Sequence, residues 1–427
     1  MKQMKDSGIE WIGETPEDWE FIKIGSIFRC RNEKVNDTDY PPLSVTRNGI
    51  VPQMENVAKT DANDNRKMVK VNDFVINSRS DRKQSCGVSD LDGSVSLINT
   101  VLYTENTDVI LPEYTNLLMK NYGFAEEFYR WGHGIVADLW TTRWQEMKSI
   151  VLPLPNTQQQ EKIVRFVQKK VCGIDNLIAH EQATIEELKA YKQSVITEAV
   201  TKGLDKSVSM KDSGVEWIGE IPESWSVSKI KTLADETQEN AFIDGDWIES
   251  PYIQDEGIRY LTTGNVGDGI FKRQGSGFIS EETFVKLQCK YVYPNDLIFS
   301  RLNEEYGRSC ILPYDYDKYI IAVDNVILRT NENKKYICYV TQCSNYHKAV
   351  FFYARGTAMK RISRTNLGNV AIPLPPIDEQ QHIADYLDEK CADIDSLISI
   401  KQQKIEELKE YKKSLIYEYV TGKKEVA

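Results

Sequence analysis

The side chains of this sequence that could do chemistry are cations, amides and hydroxyls gathered in turns behind strand-like runs. Asn77-Ser78-Arg79-Ser80-Asp81-Arg82-Lys83-Gln84 follows one such run directly, and Ser44-Val45-Thr46-Arg47-Asn48 leads into a second turn at Gly49. Further along stand Thr262, Thr263 and Asn265, then Ser300, Arg301 and Asn303, then Arg355, Thr357, Lys360, Arg361 and Arg364. His133 and Arg143 form an earlier echo of that last group. Arginine can give two parallel hydrogen bonds to guanine and asparagine can pair similarly with adenine, while serine, threonine and lysine hold phosphates. Singly, each is an ordinary surface group. Clustered in the turns of two matched domains, they point to reading of double-stranded DNA.

Catalysis leaves no comparable trace. No P-loop precedes Lys-Ser or Lys-Thr, and Gly264-Asn265-Val266-Gly267-Asp268-Gly269 has the wrong spacing for a dinucleotide fingerprint and reads as a hairpin turn. HExxH and GxSxG are missing, as are the Asp-Pro-Pro-aromatic and Asn-Pro-Pro-aromatic tetrapeptides of amino-methyltransferases. The eight cysteines show no CxxC spacing and the four histidines lie far apart, so no zinc site is expected. A formal charge of -11 argues against a chain that coats nucleic acid nonspecifically. The segment Ser226 to Val370 nonetheless balances 18 basic against 18 acidic residues, which leaves room for a local positive surface.

These turns need a frame, and the sequence supplies one twice. Met4 to Glu14 recurs as Met210 to Glu220, each copy carrying Glu-Trp-Ile-Gly and followed by a Pro and a second Trp, Pro16 with Trp19 and Pro222 with Trp225. Each block reads as an irregular segment anchored by tryptophan packing. The Pro-rich stretches Leu152-Pro153-Leu154-Pro155 and Ile372-Pro373-Leu374-Pro375 each run into a long charged segment with helix-forming composition. The two contain Ile185-Glu186-Glu187-Leu188-Lys189-Ala190-Tyr191-Lys192 and Ile405-Glu406-Glu407-Leu408-Lys409-Glu410-Tyr411-Lys412. The chain is a tandem duplication.

Apolar spacings of three and seven from Ile174 to Val200 suit a two-helix coiled coil, with the matching segment from Ile394 as the obvious partner and an antiparallel, pseudo-twofold pairing. About 26 residues at roughly 1.5 Å each make about 39 Å, near one turn of B-DNA at roughly 34 Å. Thr157 with Gln160 supplies a capping-box pattern, Gly173 is expected to interrupt the helix, and Pro112 to Tyr129 reads as one helix. The expected architecture is α+β: two α/β variable domains, 1–150 and 204–369, separated by two long antiparallel coiled-coil helices, 151–203 and 370–427. No apolar run spans a bilayer and no secretion signal opens the sequence, so a cytoplasmic location without membrane contact is expected.

The paired head blocks, the paired Pro-rich stretches and the paired IEELKxYKxS helices resemble, in order and over nearly the whole chain, the specificity subunit of Type I restriction-modification enzymes. The resemblance implies a non-catalytic subunit in which each variable domain reads one half of a bipartite, asymmetric DNA site. It implies helices that fix the gap and help dock two methyltransferase subunits, with a motor-nuclease subunit in the same complex. S-adenosylmethionine, ATP and Mg2+ would be used by those partners, and no cofactor is expected on this chain. A self-sufficient nuclease or methyltransferase, and a coiled-coil scaffold that reads no DNA, are the rival classes.

Overall fold

A computed structural model describes residues 3–53, 65–134, 140–275, 277–302, 307–353 and 361–426. The chain forms two compact units, one of Met1–Gln182 with Gln402–Ala427 and one of Ala183–Lys401. Each unit therefore takes its helical part from both long helices.

In the first unit, the head block is a hairpin of Met4–Asp6 and Glu14–Pro16, with Trp11 and Ile12 buried in the turn between them. The strand Glu20–Lys23 then pairs antiparallel with Val151–Leu154, tying together the two ends of the variable region. Between them lies an antiparallel sheet in the order Cys86–Val88, Phe74–Asn77, Asn99–Tyr103, Arg29–Cys30, with a three-stranded sheet of Gly93–Val95, Arg66–Val69 and Lys34–Val35. Asn72 turns the chain into the central strand at φ +70°, a conformation asparagine tolerates because its side chain is short and polar. Phe74 and Ile76 pack on the helical side of that strand, while Val75 packs on the other.

The second unit repeats this plan. Met210–Asp212 and Glu220–Pro222 form the hairpin, and Ser226–Lys229 pairs with Ala371–Leu374. The main sheet runs Phe242–Asp244, Asn325–Leu328, Leu297–Ser300, Ser309–Ile311, and Ile258–Leu261 pairs in parallel with Tyr319–Ile321 in the smaller one.

Three local expectations are corrected. Thr157–Lys202 is one unbroken helix of 46 residues. Gly173 has nothing within 4 Å of its Cβ position, so it sits on an open face where the missing side chain leaves no hole and the neighbouring ladder carries the helix through. The reciprocal cap lies one residue earlier than expected: Asn156 Oδ1 accepts from Gln159 N at 3.0 Å, and Gln159 Oε1 accepts from Asn156 N at 3.2 Å. Gln160 is instead fully buried, its amide donating to Val109 O and Pro155 O and accepting from Leu111 N, a role Gln380 repeats in the second unit with Pro375 O and Asn333 N. Finally, Pro112 to Tyr129 is two helices, Pro112–Lys120 and Tyr122–Arg130, because Asn121 adopts an extended conformation and caps the second by accepting from Phe124 N. The turn expected within Gly264 to Gly269 is present, Gly267 N donating to Ile270 O at 2.8 Å.

The long helices pair antiparallel within each unit. In the first, Lys412 reaches Asp175 at 2.6 Å and Lys404 reaches Glu181 at 2.6 Å, so position rises on one helix as it falls on the other. In the second, Lys192 reaches Asp395 at 2.7 Å, which is the first of those pairs with the two helices exchanged. Each helix ends on a left-handed glycine, Gly203 at φ +75° and Gly422 at φ +76°, pressed against the head-block Trp225 and Trp19. A side chain at either would be strained by the dihedral, and at Gly422 its Cβ would also strike the Pro16 ring. Among the described residues no helix is long and apolar enough to cross a membrane.

Candidate nucleic-acid interface

Both units build their candidate loops at the same place in the main sheet. The strand Phe74–Asn77 ends at Ser78, whose carbonyl accepts from Thr142 N at 3.0 Å, while Leu297–Ser300 ends at Arg301, whose carbonyl accepts from Ile362 N at 3.1 Å. A short bridge follows in each case, Arg79 with Thr141 and Leu302 with Arg361. One backbone junction thus holds two loops together in both units.

In the first unit this junction gathers much of what the sequence nominated. Arg79 and Arg82 flank Asp81, at 3.2 Å and 3.8 Å, and Lys83 reaches Glu126 at 3.0 Å. His133 is exposed and its backbone bridges Thr141, while the exposed Arg143 opens the short helix Trp144–Met147. Arg47 and Asn48 form the exposed tip of the hairpin Leu43–Thr46 and Gly49–Pro52, and Arg47 Nε donates to Lys83 O at 3.3 Å, joining this tip to the Arg79 loop. Thr46 Oγ1 braces the turn by donating to Gly49 O. Ser78 is a correction. It is buried and its hydroxyl bonds Thr100 Oγ1 at 2.9 Å, so it holds the sheet and faces no ligand.

The second unit corrects three more. Ser300 is fully buried, its Oγ donating to Leu302 O. Asn265 is buried too, accepting from Thr262 N and donating to Lys272 O and Gln274 O, so its amide edge closes a loop and offers nothing to a base. Arg301 is 4% exposed and donates to Val323 O at 2.6 Å and Ile362 O at 3.3 Å, with Asp244 at 3.2 Å and Asp324 at 3.6 Å. Burial pushes its pKa down, with Asp244 opposing that shift. What does reach solvent is the pair Arg361 and Arg364, held by Asp324 at 3.0 Å and Asp244 at 3.6 Å, together with exposed Thr262 and half-exposed Thr263. Asn303, Arg355, Thr357 and Lys360 lie outside the described residues.

The sequence had favoured Arg301 as a base reader, and its burial changes the expected result of removing it. Arg301→Ala should destabilise the second unit by about 3 kcal/mol, because Val323 O, Ile362 O and two carboxylates lose a shared partner. Urea unfolding of the full chain checks this. Unchanged stability combined with lost reading of one half-site would restore the earlier assignment.

Some groups at these ends carried no sequence signal. Trp140 and Trp247 are exposed beside the two junctions, Trp247 at 70%. Asp246 fixes the chain ahead of Trp247 through Ile321 O, Val323 N and the Lys290 ammonium. Lys120 lies 71 positions beyond Gly49 in the chain, and folding brings its ammonium to 3.8 Å from the Cβ position of Gly49 in the Arg47 turn.

A profile described as the Type I restriction modification DNA specificity domain matches residues 222–410. The chain is 25% identical to the Type I restriction enzyme MjaVIII specificity subunit of Methanocaldococcus jannaschii over 96% of this chain and 93% of that one. A second relative from the same organism, the putative Type I restriction enzyme MjaX specificity subunit, is also 25% identical, over 96% and 95%. Among solved structures, a chain from work on complex assembly and conformational transition of the type I R-M system superposes with a TM-score of 0.70 at 16% identity, covering 95% of this chain and 98% of that one. The HsdS subunit of Thermoanaerobacter tengcongensis superposes at 0.53 with 17% identity, over 96% and 98%.

Proposed function

We propose that the chain, similar over nearly its whole length to Type I restriction enzyme specificity subunits, is a specificity subunit of this kind, and that its two units each read one half of a bipartite, asymmetric DNA site. The observation that carries this reading is the shared backbone junction with unlike side chains: Arg79, Arg82, Lys83, His133 and Arg143 in one unit, Arg361, Arg364 and Thr262 in the other. A common frame with divergent cations and hydroxyls is what two readers of different base sequences need.

Docking of methyltransferase and motor-nuclease subunits belongs to the same reading. The helices support it with an apolar pair that occurs twice, Leu177 with Tyr411 in the first unit and Leu397 with Tyr191 in the second, at 48%, 54%, 49% and 56% exposure. Matched exposed pairs suit two copies of one partner. S-adenosylmethionine, ATP and Mg2+ act in those partners, and this chain contributes binding and orientation without catalysis.

Expressing the chain with its methyltransferase subunit in a host lacking adenine methylation, then mapping N6-methyladenine by long-read sequencing, tests the proposal. A single two-part motif with a fixed unspecified gap is expected. A continuous motif, or a stable complex that methylates nothing, would refute two independent half-site readers.

A further inference from the structure

The turn Arg47-Asn48 leads to Gly49 at φ +122°, and the Lys120 ammonium is the one described group within 4 Å of where a Cβ on Gly49 would stand, at 3.8 Å. Lys120 ends the helix Pro112–Lys120 and is partly buried. Among the described residues it has no carboxylate within ion-pair reach, and neither does Arg47, whose guanidinium donates to the Lys83 carbonyl. A lysine in a last helical turn is favoured by the helix dipole by a few tenths of a kcal/mol, roughly, which accounts for its place in the sequence. The dipole does not account for an ammonium left partly out of water without a counter-charge. Burial pushes the Lys120 pKa down, and the nearby Lys412 adds to that shift.

The second unit has the same turn with different chemistry. Gly269, at φ +75°, lies over the amide of Gln342, which follows the helix Lys334–Thr341 just as Lys120 closes its own. The tip there carries Asp268, whose carboxylate faces His347 at 3.6 Å. Where the first unit sets Arg47 and Lys120 around Gly49, the second sets Asp268 and Gln342 around Gly269.

We infer that Lys120 and Arg47, around the Gly49 turn, grip a backbone phosphate of the DNA beside the half-site read by the first unit. The inference rests on the DNA-reading function proposed above. It gives Arg47 and Asn48 the task of setting register, where the sequence had suggested base contact. The matched turn of the second unit, with Asp268 at its tip, makes no such contact.

The test is the salt dependence of cognate-duplex binding by the full chain in complex with its methyltransferase subunit. Lys120→Gln should reduce the slope of log K against log salt by about 0.9, equivalent to about eightfold weaker binding at 0.1 M salt. The methylated motif should stay the same, and the melting temperature of the chain should hold or rise because an uncompensated charge has gone. Lys206→Gln, which removes a highly exposed lysine paired with Glu198 at 3.2 Å, should leave the slope unchanged. An unaltered slope in Lys120→Gln overturns the inference, as does a changed motif, which would make the turn a base reader. A wild-type complex with no preference for any duplex would instead count against DNA reading itself.

Discussion

A chain ending at Lys401 should keep Ala183–Lys401 folded and lose the first unit. Residues 402–427 lie more than 200 positions beyond Gln182, yet they complete the unit of residues 1–182. Ile405, Leu415 and Val420 are buried, and Leu408, Ile416 and Tyr419 are partly buried against the first core. Tyr417 donates to Trp11 O at 2.8 Å, Lys423 to Ile12 O at 2.6 Å, and Val420 O accepts from the buried Tyr114 hydroxyl at 3.1 Å. At about 1.5–3 kcal/mol for each fully buried aliphatic side chain, the three alone contribute about 5–9 kcal/mol. That is comparable to the roughly 5–15 kcal/mol by which a whole domain is stable. Limited proteolysis with mass mapping should show rapid cleavage within 1–182 and protection of 183–401. Equal protection of both regions would mean that the first core closes without its C-terminal helix.

The frame was legible in the sequence because it is written twice. Ile174, Leu188, Val195 and Ile196 return as Ile394, Leu408, Leu415 and Ile416, and a period kept through duplication is a signal that single propensities do not give. Antiparallel pairing followed from connectivity, and the Asp175–Lys412 and Lys192–Asp395 pairs show it directly. The helix through Gly173 was misjudged because one glycine costs a helix only about 1 kcal/mol, a penalty the flanking packing outweighs. The reading ends were less legible for a different reason. Arg79 and Arg301 follow strands with the same pattern, but a one-residue difference in alignment puts Arg301 at the buried position that Ser78 fills, and Arg79 beside Thr141 at the surface. Strand periodicity decides which face a side chain takes, and residue type does not reveal it. Lys120 could not have been found by reading, since its significance arises from a turn 71 positions away in the chain.

The exchange of helices between units leads to the second large effect: a half-length chain, Met1 to Ser209, should dimerise. Its residues 183–202 match 403–422 closely enough to complete the first unit of another copy, with Lys192 standing where Lys412 meets Asp175 and Val195 and Val200 standing for Leu415 and Val420. Three positions oppose the exchange. Thr184 would replace Lys404 and remove the lysine that reaches the buried Glu181 at 2.6 Å. Thr197 and Ala199 would replace Tyr417 and Tyr419, which lie against Tyr122 and Phe166 at 4.8 Å and 4.7 Å between ring centroids. A charge-assisted hydrogen bond contributes about 1.5–3 kcal/mol and each aromatic pair about 0.5–1.5 kcal/mol, so Thr184→Lys combined with Thr197→Tyr and Ala199→Tyr should tighten the dimer at least about 10-fold, measured by analytical ultracentrifugation. With the methyltransferase subunit present, the dimer should methylate a symmetric site made of two copies of the half-motif that the first unit reads in the full chain. The symmetry follows because both reading ends then carry the Arg79, Arg82 and Lys83 loop. A half-chain that stays monomeric with all three substitutions would show that the helix halves are not interchangeable. An asymmetric motif from a stable dimer would show that something other than each unit's own loops selects the bases.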